Sequence, residues 1–214
     1  MDKNLHNYRK SYEKGFLTED TILENPLQQF AAWFLEAEKA PELEEPNAMT
    51  LSTVNSHGAP RSRVVLLKEF TQQGFVFYTN YTSGKGQAIA KNNNVCVSFF
   101  WPSLERQIII TGKAIKISEE NSITYFNKRP RESQLGAVVS DQSSVIESRE
   151  ALEEKLLQLE KHYDNKTILK PNHWGGYLIQ PTSYEFWQGR SSRLHDRIKY
   201  TKNDNSWTID RLQP

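Results

Sequence analysis

Apolar and polar positions alternate with a period of two over much of this chain. Side chains two apart in a strand share a face, so such stretches read as half-buried strands. Met49, Leu51 and Thr53 with their neighbours give the first. The turn sequence SHGAP leads into a second over 61–68, and Gln73-Gly74 leads into a third over 75–79. Segments 95–101 and 107–117 follow, joined at Pro102-Ser103. Segments 174–179, 184–188, 197–201 and 207–212 close the chain, the last two joined by Asn203-Asp204-Asn205. Short strands with turn chemistry between them predict antiparallel pairing.

Helical spacing interrupts this pattern in a few places. Asn25-Pro26 offers an N-cap and a proline for the first turn, and Leu27, Phe30, Ala31 and Phe34 then share a helix face. A loop over 40–47 ends that helix. A short helix covers 83–91. Ser118 opens another, with Glu119 and Glu120 suited to its first turn, and Pro130 ends it and starts the next. Ser148 caps a longer helix to about Tyr163. Its Leu152, Leu156, Leu159 and Tyr163 form one stripe, either core or partner surface. About eight short strands with peripheral helices predict a mainly β, barrel-centred α+β fold. Residues 1–24 are polar and read as an arm; 25–214 reads as one domain.

Composition narrows the function classes. The chain has 214 residues and a net charge of +1, so no global field favours nucleic acid or an anionic membrane, and any anion site must be local. The single cysteine, Cys96, lies in an apolar run and reads as a buried small hydrophobe. The N-terminus shows no apolar segment of signal type, and no apolar run approaches the ~20 residues of a membrane span, which suits a cytoplasmic protein. The histidines show no metal-ligand spacing, and no glycine-rich dinucleotide fingerprint is present.

The chemistry concentrates in EFWQGRSSRLHDR, residues 185–197. If this stretch is extended, Arg193, His195 and Arg197 share one face. Such a face is either an edge strand with guard charges or an anion site.

This tail resembles the C-terminal signature of the pyridoxine/pyridoxamine 5'-phosphate oxidase family. Further matches run in family order: RSRVVLLK (61–68), FYTNYTSGK (77–85), LERQIIITG (104–112), YFNKRPRESQLGAVVS (125–140), QSS (142–144) and, more weakly, YRKSY (8–12). The resemblance implies an FMN-binding split β-barrel that forms a homodimer, with cofactor sites between subunits. Residues 174–214 would complete the active site and the dimer interface. It implies oxidation of pyridoxamine or pyridoxine 5'-phosphate to pyridoxal 5'-phosphate, with O2 reduced to H2O2.

The residues follow from the same resemblance. Arg63, Val64, Val65, Leu66, Leu67, Lys68, Tyr78, Thr79, Lys85, Gln107, Gln142, Ser143, Trp187 and Arg197 match FMN-contacting positions. Lys68, Tyr125, Arg129 and Ser133 match the substrate-phosphate site. Arg193, Leu194 and His195 match positions over the substrate ring, with Arg193 and His195 as the catalytic pair. Arg9 and Tyr12 match a lid over the substrate. Arg63 and Lys68 differ in parity, so a regular strand would point them to opposite faces; a bulge or separate roles would reconcile them. Many family members carry a second basic residue immediately before Lys85, where this chain has Gly84. That substitution predicts weaker FMN binding unless another cation replaces it. A related flavin oxidoreductase with another substrate, or a non-catalytic flavin or pyridoxal-phosphate binder, are the competing readings.

Overall fold

The computed structural model describes residues 3–204 and 206–214, so Asn205 of the expected last turn lies outside the described residues. In chain order the elements are α1 (Pro26–Lys39), β1 (Ala48–Val54), β2 (Pro60–Leu66), β3 (Glu69–Thr71), β4 (Gly74–Asn80), α2 (Gly84–Lys91), β5 (Asn94–Trp101), β6 (Arg106–Lys116), α3 (Glu119–Lys128), α4 (Arg131–Val139), α5 (Arg149–His162), β7 (Trp174–Gln188), β8 (Asp196–Asn203) and β9 (Ser206–Arg211). The sheet order is β2-β1-β5-β6-β7-β4-β3, with β8 also paired to β7 and β9 to β8. The β3–β4, β4–β7, β7–β8 and β8–β9 pairs are antiparallel. No helix among the described residues is long and apolar enough to cross a membrane.

Local chemistry sets the helix starts. The Asn25 side chain accepts from the Leu27 and Gln28 amides, with Pro26 in the first turn. Ser83, Ser118 and Ser148 cap α2, α3 and α5 by accepting from Gly86, Asn121 and Ala151. Pro130 occupies the N-cap position of α4, one residue before its expected place inside the helix.

Three strand expectations need correction. The brief β3 has no sequence counterpart. The segments 174–179 and 184–188 are one continuous strand, β7. Pro181 falls between the stretch registered with β4, which ends at Ile179, and the stretch registered with β8, which begins at Ser183. Proline cannot donate to a ladder, so this gap accommodates it. Finally, the extended path does not run through Arg193. Ser191–Arg193 form a 3-10 turn, with φ of 55° at Ser192 and 60° at Arg193, and the strand resumes at Asp196. Arg193 and Arg197 therefore do not share a strand face.

The chain divides into two compact units. One comprises Met1–Thr50, Cys96–Gly112 and Pro181–Pro214; the other comprises Leu51–Val95 and Lys113–Gln180. The first has an aromatic core: Phe30 meets Phe99 at 5.2 Å, Trp33 meets Phe186 edge-on at 5.3 Å, and Phe186 meets Tyr200 at 5.5 Å. The Tyr200 hydroxyl donates to the Leu23 carbonyl, so the buried ring keeps a polar partner. In the second unit β4 is buried at every position except Tyr78. A further cluster of Phe126, Leu135, Ile168 and Trp174 receives Leu156, Leu159 and Tyr163. The α5 stripe is thus core for those three, while Leu152 stays exposed. Cys96 is half-buried rather than buried.

Candidate active site: a cationic cleft

The second unit carries a cleft of about 710 Å³. Arg61, Arg63, Lys68, Lys85 and Arg129 line it, and no carboxylate among the described residues does. β2 supplies the first two with Val64, Val65 and Leu66; β4 supplies Tyr78 and Thr79; the start of α2 supplies Gly84 and Lys85. Tyr125 of α3, Ser133 of α4, Gln142 and Ser143 of the following loop, and Trp174 at the head of β7 complete the wall.

One end of the cleft is organised around Lys85. Its Nζ donates to Gln142 Oε1 at 2.8 Å and Thr79 Oγ1 at 3.2 Å, and Thr79 Oγ1 donates to Gln142 at 3.1 Å. Burial, with Arg63 and Arg61 nearby, pushes the Lys85 ammonium down to about 8. Arg63 Nη1 is held by the Leu51 carbonyl at 3.0 Å and Thr53 Oγ1 at 2.8 Å. Burial and then Arg61 also lower the Arg63 guanidinium. The parity conflict resolves because β2 ends at Leu66. Lys68 lies beyond the strand, its amide donating to Val76, and reaches the same cleft as Arg63. Leu67 is 4% exposed and faces the core instead.

The other end is aromatic. Tyr78 and Tyr125 stack at 3.9 Å and 15°, and Trp174 lies 5.3 Å from Tyr78. The Arg129 guanidinium sits 4.7 Å over the Trp174 ring. Arg129 is the C-cap of α3. Its Nη1 is buried without a hydrogen-bond partner, and burial lowers its affinity for the proton. Burial, with a smaller effect from Glu69, holds the Tyr78 phenol up at about 12. A buried unpaired guanidinium donor is costly unless an anion completes it. Ser133 stands in the first turn of α4, where backbone N–H groups favour negative charge.

The first unit holds a separate group. The Trp187 and His195 rings lie 4.7 Å apart, and Tyr12 meets each at 5.7 Å. His195 Nδ1 accepts the Arg190 amide at 3.0 Å, so the proton of the neutral ring sits on Nε2. Arg193 and Leu194 are exposed. Arg197 is committed elsewhere: Nε and Nη2 each lie 2.8 Å from Glu185 Oε1, and Nη1 donates to Gln213 at 2.8 Å. The arm is pinned by Glu105, whose carboxylate is 2% exposed. It accepts the Glu13 and Lys14 amides at 2.8 and 3.0 Å and pairs with Lys10 at 3.2 Å.

Residues 35–163 match the family model described as pyridoxamine 5'-phosphate oxidase, and residues 174–214 match the pyridoxine 5'-phosphate oxidase C-terminal dimerisation region. The chain belongs to the pyridoxamine 5'-phosphate oxidase family. The pyridoxine/pyridoxamine 5'-phosphate oxidase of Christiangramia forsetii is 55% identical over 214 residues, covering all of both chains. That of Flavobacterium psychrophilum is 58% identical, covering 99% of this chain and 100% of its own. Among solved structures, PhzG from Burkholderia lata in complex with tetrahydrophenazine-1-carboxylic acid is similar at a TM-score of 0.88 and 28% identity, covering 96% of this chain and 100% of that one. A pyridoxamine 5'-phosphate oxidase-related, FMN-binding protein from Nostoc punctiforme shares the fold at a TM-score of 0.70 and 18% identity, covering 89% and 98%. The expected mainly β fold, the FMN-binding split barrel, is thus present.

Of the positions the family resemblance singles out, the cleft brings together Arg63, Val64, Val65, Leu66, Lys68, Tyr78, Thr79, Lys85, Tyr125, Arg129, Ser133, Gln142 and Ser143. Leu67 is left out. Gln107, Trp187, Arg193, Leu194, His195 and Arg197 belong to the other unit, as do Arg9 and Tyr12. Arg9 turns its Nε back to the His6 carbonyl, so only Tyr12 of that pair reaches His195. Sequence reasoning missed Arg61, Trp174 and Glu105. Arg61 was detectable, because it shares strand parity with Arg63. Trp174 and Glu105 had no local signal.

Proposed function

We propose that this chain is an FMN-dependent oxidase converting pyridoxamine 5'-phosphate and pyridoxine 5'-phosphate to pyridoxal 5'-phosphate. It acts as a homodimer in the cytoplasm. The alcohol and O2 give the aldehyde and H2O2; the amine also takes up water and releases ammonia. The observation that carries this reading is the cleft itself, which among the described residues has five cations, no carboxylate and an aromatic stack. Its residues fit two phosphorylated aromatic ligands. Unneutralised cations suit phosphate dianions, and the buried unpartnered Arg129 Nη1 calls for an acceptor.

The bound isoalloxazine would supply the hydride acceptor and the reaction with oxygen. The chain supplies binding and orientation. Arg63, Lys85, Thr79 and Gln142 hold the flavin phosphate. Arg129, Tyr125 and Ser133, with Lys68, hold the substrate phosphate. Arg193 orients the substrate ring, and His195 offers Nε2–H as a donor while Arg190 fixes its tautomer. Tyr12 packs on His195 and limits its rotation.

A related flavin oxidase acting on a phenazine precursor is the second reading, favoured by the likeness to PhzG. Aerobic turnover with added FMN and pyridoxine 5'-phosphate separates the two. Aldehyde and peroxide in equal amounts support the first reading. A flavin-loaded protein that yields neither sinks it and moves the substrate search toward unphosphorylated rings.

A further inference from the structure

Arg61 lies two residues from Arg63 on β2, on the same strand face. Its Nη1 stands 3.7 Å from the point a Cβ on residue 84 would occupy, and the Ser143 hydroxyl stands 3.8 Å from that point. The space over Gly84 is therefore flanked by a guanidinium and a hydroxyl, with Lys85 next in sequence. Among the described residues Arg61 makes no ion pair, and no carboxylate lines the cleft it borders. Its charge is felt by both neighbours, adding to burial in lowering Lys85 and Arg63. Three like charges gathered without a counter-charge describe a site that is complete only around an anion.

We propose that Arg61 is the third cation of the flavin-phosphate site and that Gly84 leaves room for its guanidinium beside Lys85. This rests on the flavin reading above and deepens it. Arg63 spends Nη1 on the β1 backbone and Thr53, so it is a fixed charge with one side of its fork used. Lys85 is a point donor already shared with Thr79 and Gln142. Arg61 is the exposed member, free to bring a planar fork onto phosphate oxygens. A basic side chain at residue 84 would compete for that same space. A Cβ there meets only ordinary van der Waals contacts, so such a variant can be built without strain. The ordinary alternative is a solvated surface arginine whose removal changes nothing.

The test measures dissociation constants of FMN and of riboflavin, which lacks the phosphate, by flavin fluorescence on the deflavinated full-length protein. The variants are Arg61→Ala, Gly84→Arg and the double variant. Arg61→Ala should weaken FMN at least about tenfold and leave riboflavin unchanged, because one charge-assisted contact is lost. Gly84→Arg alone should gain little, and the double variant should recover most of the loss. Equal weakening of FMN and riboflavin, or no weakening of either, overturns the assignment of Arg61. So does a tightening of FMN by Gly84→Arg that is the same with and without Arg61. A wild-type protein that does not prefer FMN to riboflavin refutes the underlying flavin-phosphate reading instead. A wild-type preference that is undiminished in Arg61→Ala removes Arg61 alone.

Discussion

Lys85 should carry a measurable conflict between stability and ligand binding. Its ammonium is lowered from the ordinary 10.5 to about 8 by burial, then by Arg63 and Arg61. The unfolded chain therefore holds a proton that the folded, ligand-free chain gives up between these values. Where the unfolded state binds more protons, stability rises with pH. The charged lysine thus costs stability below about pH 8, and the cost disappears as pH rises toward 10.5. At full strength a fall of this size is worth about 3 kcal/mol, at roughly 1.4 kcal/mol for each tenfold change. The side chain is only half-buried, so solvent screening reduces the expected effect to about 1 to 2 kcal/mol.

Lys85→Met removes the titration. It also loses the bonds to Thr79 and Gln142, but that loss is a nearly constant offset. The informative quantity is the stability gap between wild type and variant, from urea unfolding of flavin-free protein between about pH 7 and about pH 10. The gap should move about 1 to 2 kcal/mol in favour of wild type over that range. On the proposed flavin-phosphate site, saturating FMN should abolish the pH dependence, since the phosphate would keep Lys85 charged. A gap that is flat with pH, or that moves the other way, would refute the argument that Lys85 is held among uncompensated charges.

Other expectations concern single side chains. Arg193→Ala should lower turnover far more than it lowers FMN retention; loss of flavin with intact substrate affinity would contradict its placement on the substrate. Arg129→Met should raise KM for pyridoxine 5'-phosphate at least about tenfold while apoprotein stability holds or rises, because a buried unpartnered donor is removed. Glu105→Ala leaves the Glu13 and Lys14 amides without their acceptor and should cost about 2 kcal/mol in urea unfolding. Trypsin should also cut sooner at Lys10 and Lys14, and unchanged cleavage would show that the arm does not depend on this carboxylate. Burial raises the Glu105 carboxyl, but bonds from Lys14, Lys10 and Glu13 outweigh it and leave it below the ordinary 4.5. Its hold on the arm should therefore be present above that value and fail as pH falls through the lower one.

The elements were legible where their cause is local. Asn25-Pro26, Ser118 and Ser148 mark helix starts because a capping side chain bonds amides two or three residues away. β7 reads as two strands in the sequence, and nothing local says that Pro181 falls between two pairing registers of one strand. The turn at Ser192 and Arg193 was hidden for a similar reason. Neither residue is glycine, so nothing in their type announces a positive φ. The cleft was visible only through the family resemblance. Lys85 meets Gln142, 57 positions away, and such a contact leaves no periodic trace. The arm was read as a polar tail because its anchor, Glu105, is an ordinary acid until the fold buries it.

That no carboxylate among the described residues lines the cleft has a consequence for the cell. If the proposed flavin site is correct, cations that repel one another there are partly relieved by the cofactor that neutralises them. A ligand at about a hundred times its dissociation constant adds about 2.7 kcal/mol to the folded state. Differences of that size change how much of a protein escapes degradation. On that reading a shortage of riboflavin would act twice, first by leaving the chain without flavin and then by thinning its population. On the proposed function, supply of one vitamin would set the abundance of a protein that finishes another.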